Sequence, residues 1–183
     1  MSDFYKNTPQ IINDGLTELR AAAKDAHIEI EIEAAAEYYL DHQMTNYIAQ
    51  GDILTFGDNY VLFELSFTSE QSRVKETIFE LITEGYKPIL AHVERYPYYY
   101  NNWEKIEDYR SRGVLLQLNI NSLSGQYGPQ VQRMAEQLID KDWIDLIGSD
   151  CHHIGHLNML DSLRVNPYLH KIAKKDSLLN KKL

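Results

Sequence analysis

The sequence is poor in the residues that mark secreted, repetitive or membrane-spanning proteins. It has one cysteine, Cys151, and only 9 glycines and 5 prolines among 183 residues. A single cysteine excludes an intrachain disulfide and favours the reducing cytoplasm. No apolar run approaches the roughly 20 residues of a membrane span, and the polar start MSDFYKNTPQ lacks the apolar region of a secretory signal. We therefore expect a cytoplasmic protein with no membrane insertion.

The sequence also lacks an excess of positive charge. Lys and Arg number 18 against 27 Asp and Glu, which gives a formal net charge of −9. Because non-specific nucleic-acid binding depends on basic side chains that neutralise phosphates, we expect no nucleic-acid partner. The apolar fraction of 44% is typical of a folded globular chain, and the length predicts one domain over residues 1–183.

The hydrophobic pattern of the chain alternates between strand and helix. Thr8 and Pro9 predict the start of a first helix. Patterns typical of strands recur at about 28–33, 61–67, 88–92, 114–120 and 144–148. Helical patterns separate most of these strands, and this order predicts an α/β fold with a parallel sheet. The lysine-rich end, about 171–183, suggests a frayed tail.

Side chains capable of metal or phosphate chemistry follow several of the predicted strands. They are Glu37, His92, Arg95, Asn119, Asn121, Asp150, His152 and His153. Because the carboxyl ends of parallel strands meet at one edge, we expect these side chains to converge there. Two carboxylates and two imidazoles suit Mn, Fe or Zn. The predicted metal ligands are Glu37, His92, Asp150 and His152, and the residues expected to support them are His153, Asn119 and Asn121.

Each of these residues has a simpler alternative when it is taken alone. His92 could be a hydrogen-bonded packing residue, Asp150 a helix cap and Glu37 a solvated carboxylate. Arg95 could present its planar fork to phosphate oxygens or pair with the neighbouring Glu94. The tyrosines around Pro97 could line an aromatic pocket, but packing of a loop over the sheet explains them better.

A thiolate phosphatase is excluded by spacing. Its loop requires an arginine six positions after the cysteine, and position 157, six after Cys151, is Leu. The chain also lacks the glycine-rich phosphate loop G-x-x-x-x-G-K-[ST] and the nucleophile elbow G-x-S-x-G. The short segment GQYG, 125–128, predicts a turn with no recognised phosphate pattern.

Four segments resemble the polymerase-and-histidinol-phosphatase (PHP) superfamily, and within it the bacterial protein-tyrosine phosphatases of capsule and exopolysaccharide biosynthesis. They are AEYYL (36–40), PILAHVERY (88–96), LQLNINSLSGQYG (116–128) and IGSDCHH (147–153). The resemblance implies a distorted, TIM-like (β/α)7 barrel with up to three metal ions, usually manganese. It implies hydrolysis of phosphotyrosine on the tail of a bacterial tyrosine kinase. Glu37, His92, Asp150 and His152 would be metal ligands, and Arg95 would bind the phosphate as the catalytic arginine.

The chain departs from this family at its beginning. The family starts with a strand bearing an H-x-H pair and a second strand ending in histidine, and neither pattern occurs here. We therefore expect an incomplete barrel that lacks its first two strands, with impaired activity and self-association through an exposed sheet edge. The alternatives are another PHP phosphoesterase, such as a histidinol-phosphate phosphatase, or a catalytically inactive barrel fragment.

Overall fold

The first helix begins where the sequence predicts it. The computed structural model describes residues 7–183, and in it α1 spans Pro9–Asp25. The Thr8 side chain caps the helix by accepting a hydrogen bond from the backbone N–H of Ile11 at 3.3 Å. None of the α1 side chains is buried, so the helix gains little from tertiary packing.

The first strand lies later in the chain than its pattern predicts. Residues 28–36 form no regular secondary structure and lie outside the sheet, and Ile28 and Ile30 are 57% and 66% exposed. The paired strand β1 is Glu37–Tyr39. An alternating pattern becomes a strand only where another backbone accepts its hydrogen bonds. A short helix that the sequence analysis did not predict, α2 at Met44–Gln50, follows β1.

Residues 60–148 form the remaining strands and the helices between them, as predicted. The elements are β2 at Tyr60–Glu64, α3 at Val74–Thr83, β3 at Lys87–Leu90, α4 at Trp103–Ser111, β4 at Leu115–Asn119, α5 at Pro129–Asp140 and β5 at Leu146–Gly148. The five strands pair in parallel in the order β1-β2-β3-β4-β5. The predicted α/β class is therefore confirmed.

The hydrophobic core lies between the sheet and these helices. Its buried side chains include Phe63, Leu90, Leu116, Ile78, Ile106 and Leu138. Tyr96 and Tyr99 are also fully buried, and the Tyr96 hydroxyl accepts a hydrogen bond from the N–H of Leu65 at 3.0 Å. The tyrosines beside Pro97 that reach the core are therefore packing residues.

The end of the chain is more ordered than its lysines suggest. After α6 at Ile154–Ser162 and α7 at Pro167–Ala173, Leu178 enters the core with 2% exposure. The following turn, Leu179–Lys181, runs along β5. The buried Leu178 holds this segment together with Lys175, whose Nζ donates to the backbone oxygen of Ile144 at 2.7 Å. Within residues 7–183, none of the helices has both the length and the apolar character needed to cross a bilayer.

Candidate active site at the carboxyl ends of the strands

Two carboxylates and one imidazole meet at the ends of the first three strands. Glu37 lies in β1, Glu64 ends β2, and His92 follows β3. The His92 Nε2 atom lies 3.1 Å from Glu37 Oε1 and 3.7 Å from Glu64 Oε2. Ligand atoms of the three residues lie within 4.8 Å of one another. We call this group the triad, and its geometry allows one cation to contact all three side chains.

The electrostatics of the triad favour a positive charge at its centre. Burial alone would lower the pKa of His92, whose side chain is almost fully enclosed. The hydrogen bonds to Glu37 and Glu64 outweigh burial and raise the pKa of His92 to about 9. Two carboxylates that hold a protonated imidazole in this way form a donor set that fits a divalent metal ion.

Backbone strain and close packing position His92. Its φ of 34° and ψ of 51° lie in the left-handed region, which is costly for a residue with a side chain. The N–H of His92 donates to Gln117 Oε1 at 2.7 Å. Gly148 on β5 makes room for this glutamine, because a Cβ there would lie 2.5 Å from Gln117 Nε2. The sheet therefore fixes His92 through β4 and β5 as well as β3.

A second polar group surrounds Asp150, just beyond β5. Arg95 Nη1 donates to Asp150 Oδ2 at 2.9 Å. His152 Nδ1 donates to the backbone oxygen of Asp150 at 2.9 Å and lies 3.3 Å from its Oδ1. Asp150 also has a left-handed backbone, with φ of 49°. The His152 side chain is 72% exposed, so one side of this group is open to solvent.

Part of the triad and part of the Asp150 group border one cavity of about 230 Å³. Glu37, His92 and Asp150 all line it. Three of the four predicted metal ligands therefore face one space, and the fourth, His152, contacts it through Asp150.

The residues predicted to support the ligands occupy two different environments. Asn119 Nδ2 donates to Asp150 Oδ2 at 3.3 Å, and Asn121 Nδ2 donates to the backbone oxygen of Ser149 at 3.0 Å. Both asparagines thus brace the segment that carries Asp150. His153 has a different position: its Nδ1 accepts from the N–H of Gly155 at 3.1 Å and caps α6.

Glu94 is not the partner of Arg95 that the sequence analysis considered. It is fully buried and accepts hydrogen bonds from Ser122 Oγ at 2.6 Å and from the N–H of Asn119 at 3.1 Å. Burial raises the pKa of Glu94 in spite of these hydrogen bonds. Glu94 therefore ties the segment after β3 to the end of β4, and Asp150 is left to pair with Arg95.

Glu64 is the site residue that the sequence analysis missed. It ends β2 in the structure, but it lies in the middle of the strand predicted at 61–67. A search of the residues that end the predicted strands could not have found Glu64, because β2 ends three residues earlier than its pattern predicts. Spacing alone could not show that Glu64 and Glu37 approach the same nitrogen of His92.

The family of the chain follows from comparison with known proteins. Residues 1–171 match the family model described as capsular polysaccharide synthesis, CpsB/CapC. The chain belongs to this CpsB/CapC family. The predicted resemblance to proteins of capsule biosynthesis is thereby confirmed.

Curated relatives of the chain are named as tyrosine phosphatases. Tyrosine-protein phosphatase YwqE of Bacillus subtilis (strain 168) is 23% identical over 151 residues, which cover 82% of this chain and 59% of the relative. Tyrosine-protein phosphatase CpsB of Streptococcus pneumoniae is 22% identical over 156 residues, which cover 82% of this chain and 64% of the relative. The chain thus spans about three fifths of the length of these curated relatives.

A solved structure has the same fold as this CpsB/CapC chain. It comes from work on YwqE of Bacillus subtilis and CpsB of Streptococcus pneumoniae, described there as unique metal-dependent tyrosine phosphatases. The TM-score is 0.78 at 21% sequence identity, over 97% of this chain and 76% of the solved chain. The parallel five-stranded sheet is therefore shared with that structure.

Proposed function

We propose that this chain is a metal-dependent protein-tyrosine phosphatase that acts on the phosphotyrosine-bearing tail of a bacterial tyrosine kinase in capsule synthesis. The observation that carries the proposal is the triad, of which Glu37 and His92 line one cavity together with Asp150. Membership of the CpsB/CapC family and the names of the relatives support the choice of reaction. A kinase substrate would place the protein in the cytoplasm.

The triad is the proposed metal site. Glu37, Glu64 and His92 would hold a divalent ion, and Asp150 with His152 would extend the site. The mixed carboxylate and imidazole donors suit manganese first, with iron or zinc as alternatives. When bound, such an ion neutralises charge on phosphoryl oxygens and lowers the pKa of water.

Arg95 is the proposed phosphate-binding residue. Its guanidinium already bonds to the carboxylate of Asp150 at 2.9 Å, and a phosphate presents oxygens that suit the same planar fork. Asp150 holds the arginine at the cavity before substrate arrives, so little side-chain entropy is lost on binding. His92 and Asp150 share the cavity, so a phosphate held by Arg95 would lie beside the triad.

The proposal also includes the complete barrel to which the sheet would belong. The five parallel strands would belong to a distorted (β/α)7 barrel, whose strand ends could supply further ligands for up to three ions. Their parallel order, with every strand next to its sequence neighbour, is the order of strands in a barrel of this kind.

Hydrolysis of a phosphotyrosine peptide with added Mn²⁺ tests the proposal. Glu64→Gln removes a carboxylate charge from the triad and keeps its shape. Loss of a residue that only orients a metal ligand lowers activity by roughly 10- to 100-fold. We expect loss of the Glu64 carboxylate charge to lower activity by at least as much. Glu29→Gln, on the exposed segment before β1, is the matched control and should keep full activity. Metal-independent hydrolysis, or faster turnover of histidinol phosphate, would contradict the proposal.

A further inference from the structure

An exposed phenylalanine lies between the two halves of the candidate site. The Phe67 ring stacks on the His92 imidazole with centroids 5.4 Å apart. Arg95 Cζ lies over the same ring, 4.9 Å from its centroid. Phe67 is 42% exposed, although a residue of this type is usually buried. It therefore contacts both the triad and the arginine while part of its ring stays open to solvent.

A tyrosine reaches the same arginine from the turn GQYG. The N–H of Gly128 donates to the oxygen of Gly125 at 2.9 Å, and both glycines have positive φ, 99° and 80°, which glycine adopts without strain. This turn places Tyr127 so that Arg95 Cζ lies 4.6 Å from its ring centroid. Tyr127 is half-buried. The turn, which carries no phosphate pattern of its own, thus adds a second ring beside Arg95.

The two rings restrict what can lie next to a bound phosphate. A phosphoryl group that contacts both Arg95 and the triad is adjacent to Phe67, because Phe67 contacts both. The organic group attached to that phosphate would then lie beside the Phe67 and Tyr127 side chains. Aromatic rings pair with one another in offset or edge-to-face geometry and attract one another beyond the effect of burial alone. A flat aromatic group therefore gains more here than an alkyl group.

We propose that Phe67 and Tyr127 form a subsite for the aromatic ring of an aryl phosphate held by Arg95. This inference rests on the proposed function, which fixes the position of the phosphate. It adds the two side chains that contact the aromatic ring. The tyrosines near Pro97 do not serve this purpose, since Tyr96 and Tyr99 are fully buried. Phe67 and Tyr127 thus give the site a basis for choosing phosphotyrosine over phosphoserine.

The test measures binding of two phosphonates that cannot be hydrolysed, phenylphosphonate and methylphosphonate, to the full chain with Mn²⁺. We expect wild type to bind phenylphosphonate about fivefold more tightly than methylphosphonate, the size of one aromatic pair. Phe67→Leu and Tyr127→Leu should each bring this ratio towards one while methylphosphonate binding changes less than about twofold. Phe67→Tyr and Tyr127→Phe keep the rings and should keep the ratio. Phe79→Leu, at a 70% exposed phenylalanine on α3, is the matched control.

Three results distinguish a ring-binding subsite from a purely structural role of the two aromatic side chains. An equal loss of both phosphonates in the leucine variants would overturn the subsite, because the rings would then only hold Arg95 in place. A wild-type ratio of one, or a ratio unchanged in both leucine variants, would also overturn it. Hydrolysis of phosphotyrosine peptide is measured in parallel: no turnover together with a persistent preference for phenylphosphonate would reject the proposed function and support the subsite.

Discussion

The two edges of the sheet differ in how they are covered. At the β5 edge, the N–H of Leu179 donates to the oxygen of Asp145 at 2.9 Å. The Asn180 side chain accepts from the N–H of Ile147 at 2.8 Å and donates to its oxygen at 2.9 Å. At the β1 side, residues 28–36 form no strand and lie outside the sheet. The β5 edge is therefore closed by the chain itself, as natural sheets require to avoid aggregation.

Burial explains why the two ends of the chain behave differently. Among residues 7–39, no side chain is buried, and Leu40 is the first that is. The Arg20 side chain donates to the oxygen of Ile32 at 2.9 Å, and α1 borders a groove of about 480 Å³ with 28–32. At the other end, Leu178 is 2% exposed. The C-terminal segment therefore gains stability from a buried side chain, which residues 7–39 lack.

The largest expected effect is the loss of the C-terminal anchor. Leu178→Ala removes a fully enclosed side chain from the core, and such changes cost about 2–5 kcal/mol. For a chain of this size we expect Tm to fall by roughly 5–15 °C. Thermal unfolding followed by circular dichroism measures the shift.

Leu19→Ala is the matched control at the other end of the chain. Leu19 lies on α1 and is 53% exposed, so the same substitution should change the free energy of unfolding by less than about 0.5 kcal/mol. Equal destabilisation by the two variants would show that the contrast between the ends is wrong.

A smaller effect is expected from opening the β5 edge. Asn180→Ala removes both hydrogen bonds to Ile147 and should cost about 0.5–1.5 kcal/mol, because water can replace these exposed bonds. The uncovered edge should also promote self-association, which light scattering at rising protein concentration would detect. Asn158→Ala, at an exposed position of α6, is the control and should change neither quantity. A variant as stable and as monomeric as wild type would mean that Asn180 does not protect the edge.

The same contrast shows which features the sequence could predict. The start of α1 at Thr8–Pro9 depends on local capping and was predicted correctly. The position of β1 depends on a pairing partner, which periodicity does not reveal. The ordered tail depends on Leu178, whose burial is decided by distant residues.

The candidate site also has features that the sequence could predict and features that it could not. Its strand-end residues could be found because parallel strands direct their carboxyl ends to one edge. Pairings across 55 positions, such as Arg95 with Asp150, depend on the assembled sheet. They could not be read from spacing.

Acid should lower the stability of the fold by protonating Glu70. Its carboxylate accepts hydrogen bonds from Lys105, Tyr109 and Tyr99. Burial alone would raise the pKa of Glu70, but these hydrogen bonds outweigh it and lower the pKa. The folded pKa lies below the unfolded value, so this stabilisation is complete above about pH 4.5 and is lost as pH falls through the folded pKa.

Urea unfolding at a series of pH values tests this acid dependence. Glu70→Gln cannot titrate, so the stability difference between wild type and variant should shrink as pH falls below about 4.5. A difference that stays constant across the whole range would show that the charge of Glu70 does not stabilise the fold. Tyr109→Phe removes one donor and should give a smaller difference with the same dependence on pH.

The last prediction concerns the local stability of α1. Because α1 buries no side chain, its amide hydrogens should exchange far faster than those of α5, whose Val131, Met134 and Leu138 are buried. Hydrogen exchange followed by mass spectrometry compares the two helices in one experiment, so α5 is the internal control. Slow exchange in α1 that disappears on dilution would mean that a second copy covers it, as expected for self-association. Slow exchange that persists on dilution would contradict the contrast between the two ends of the chain.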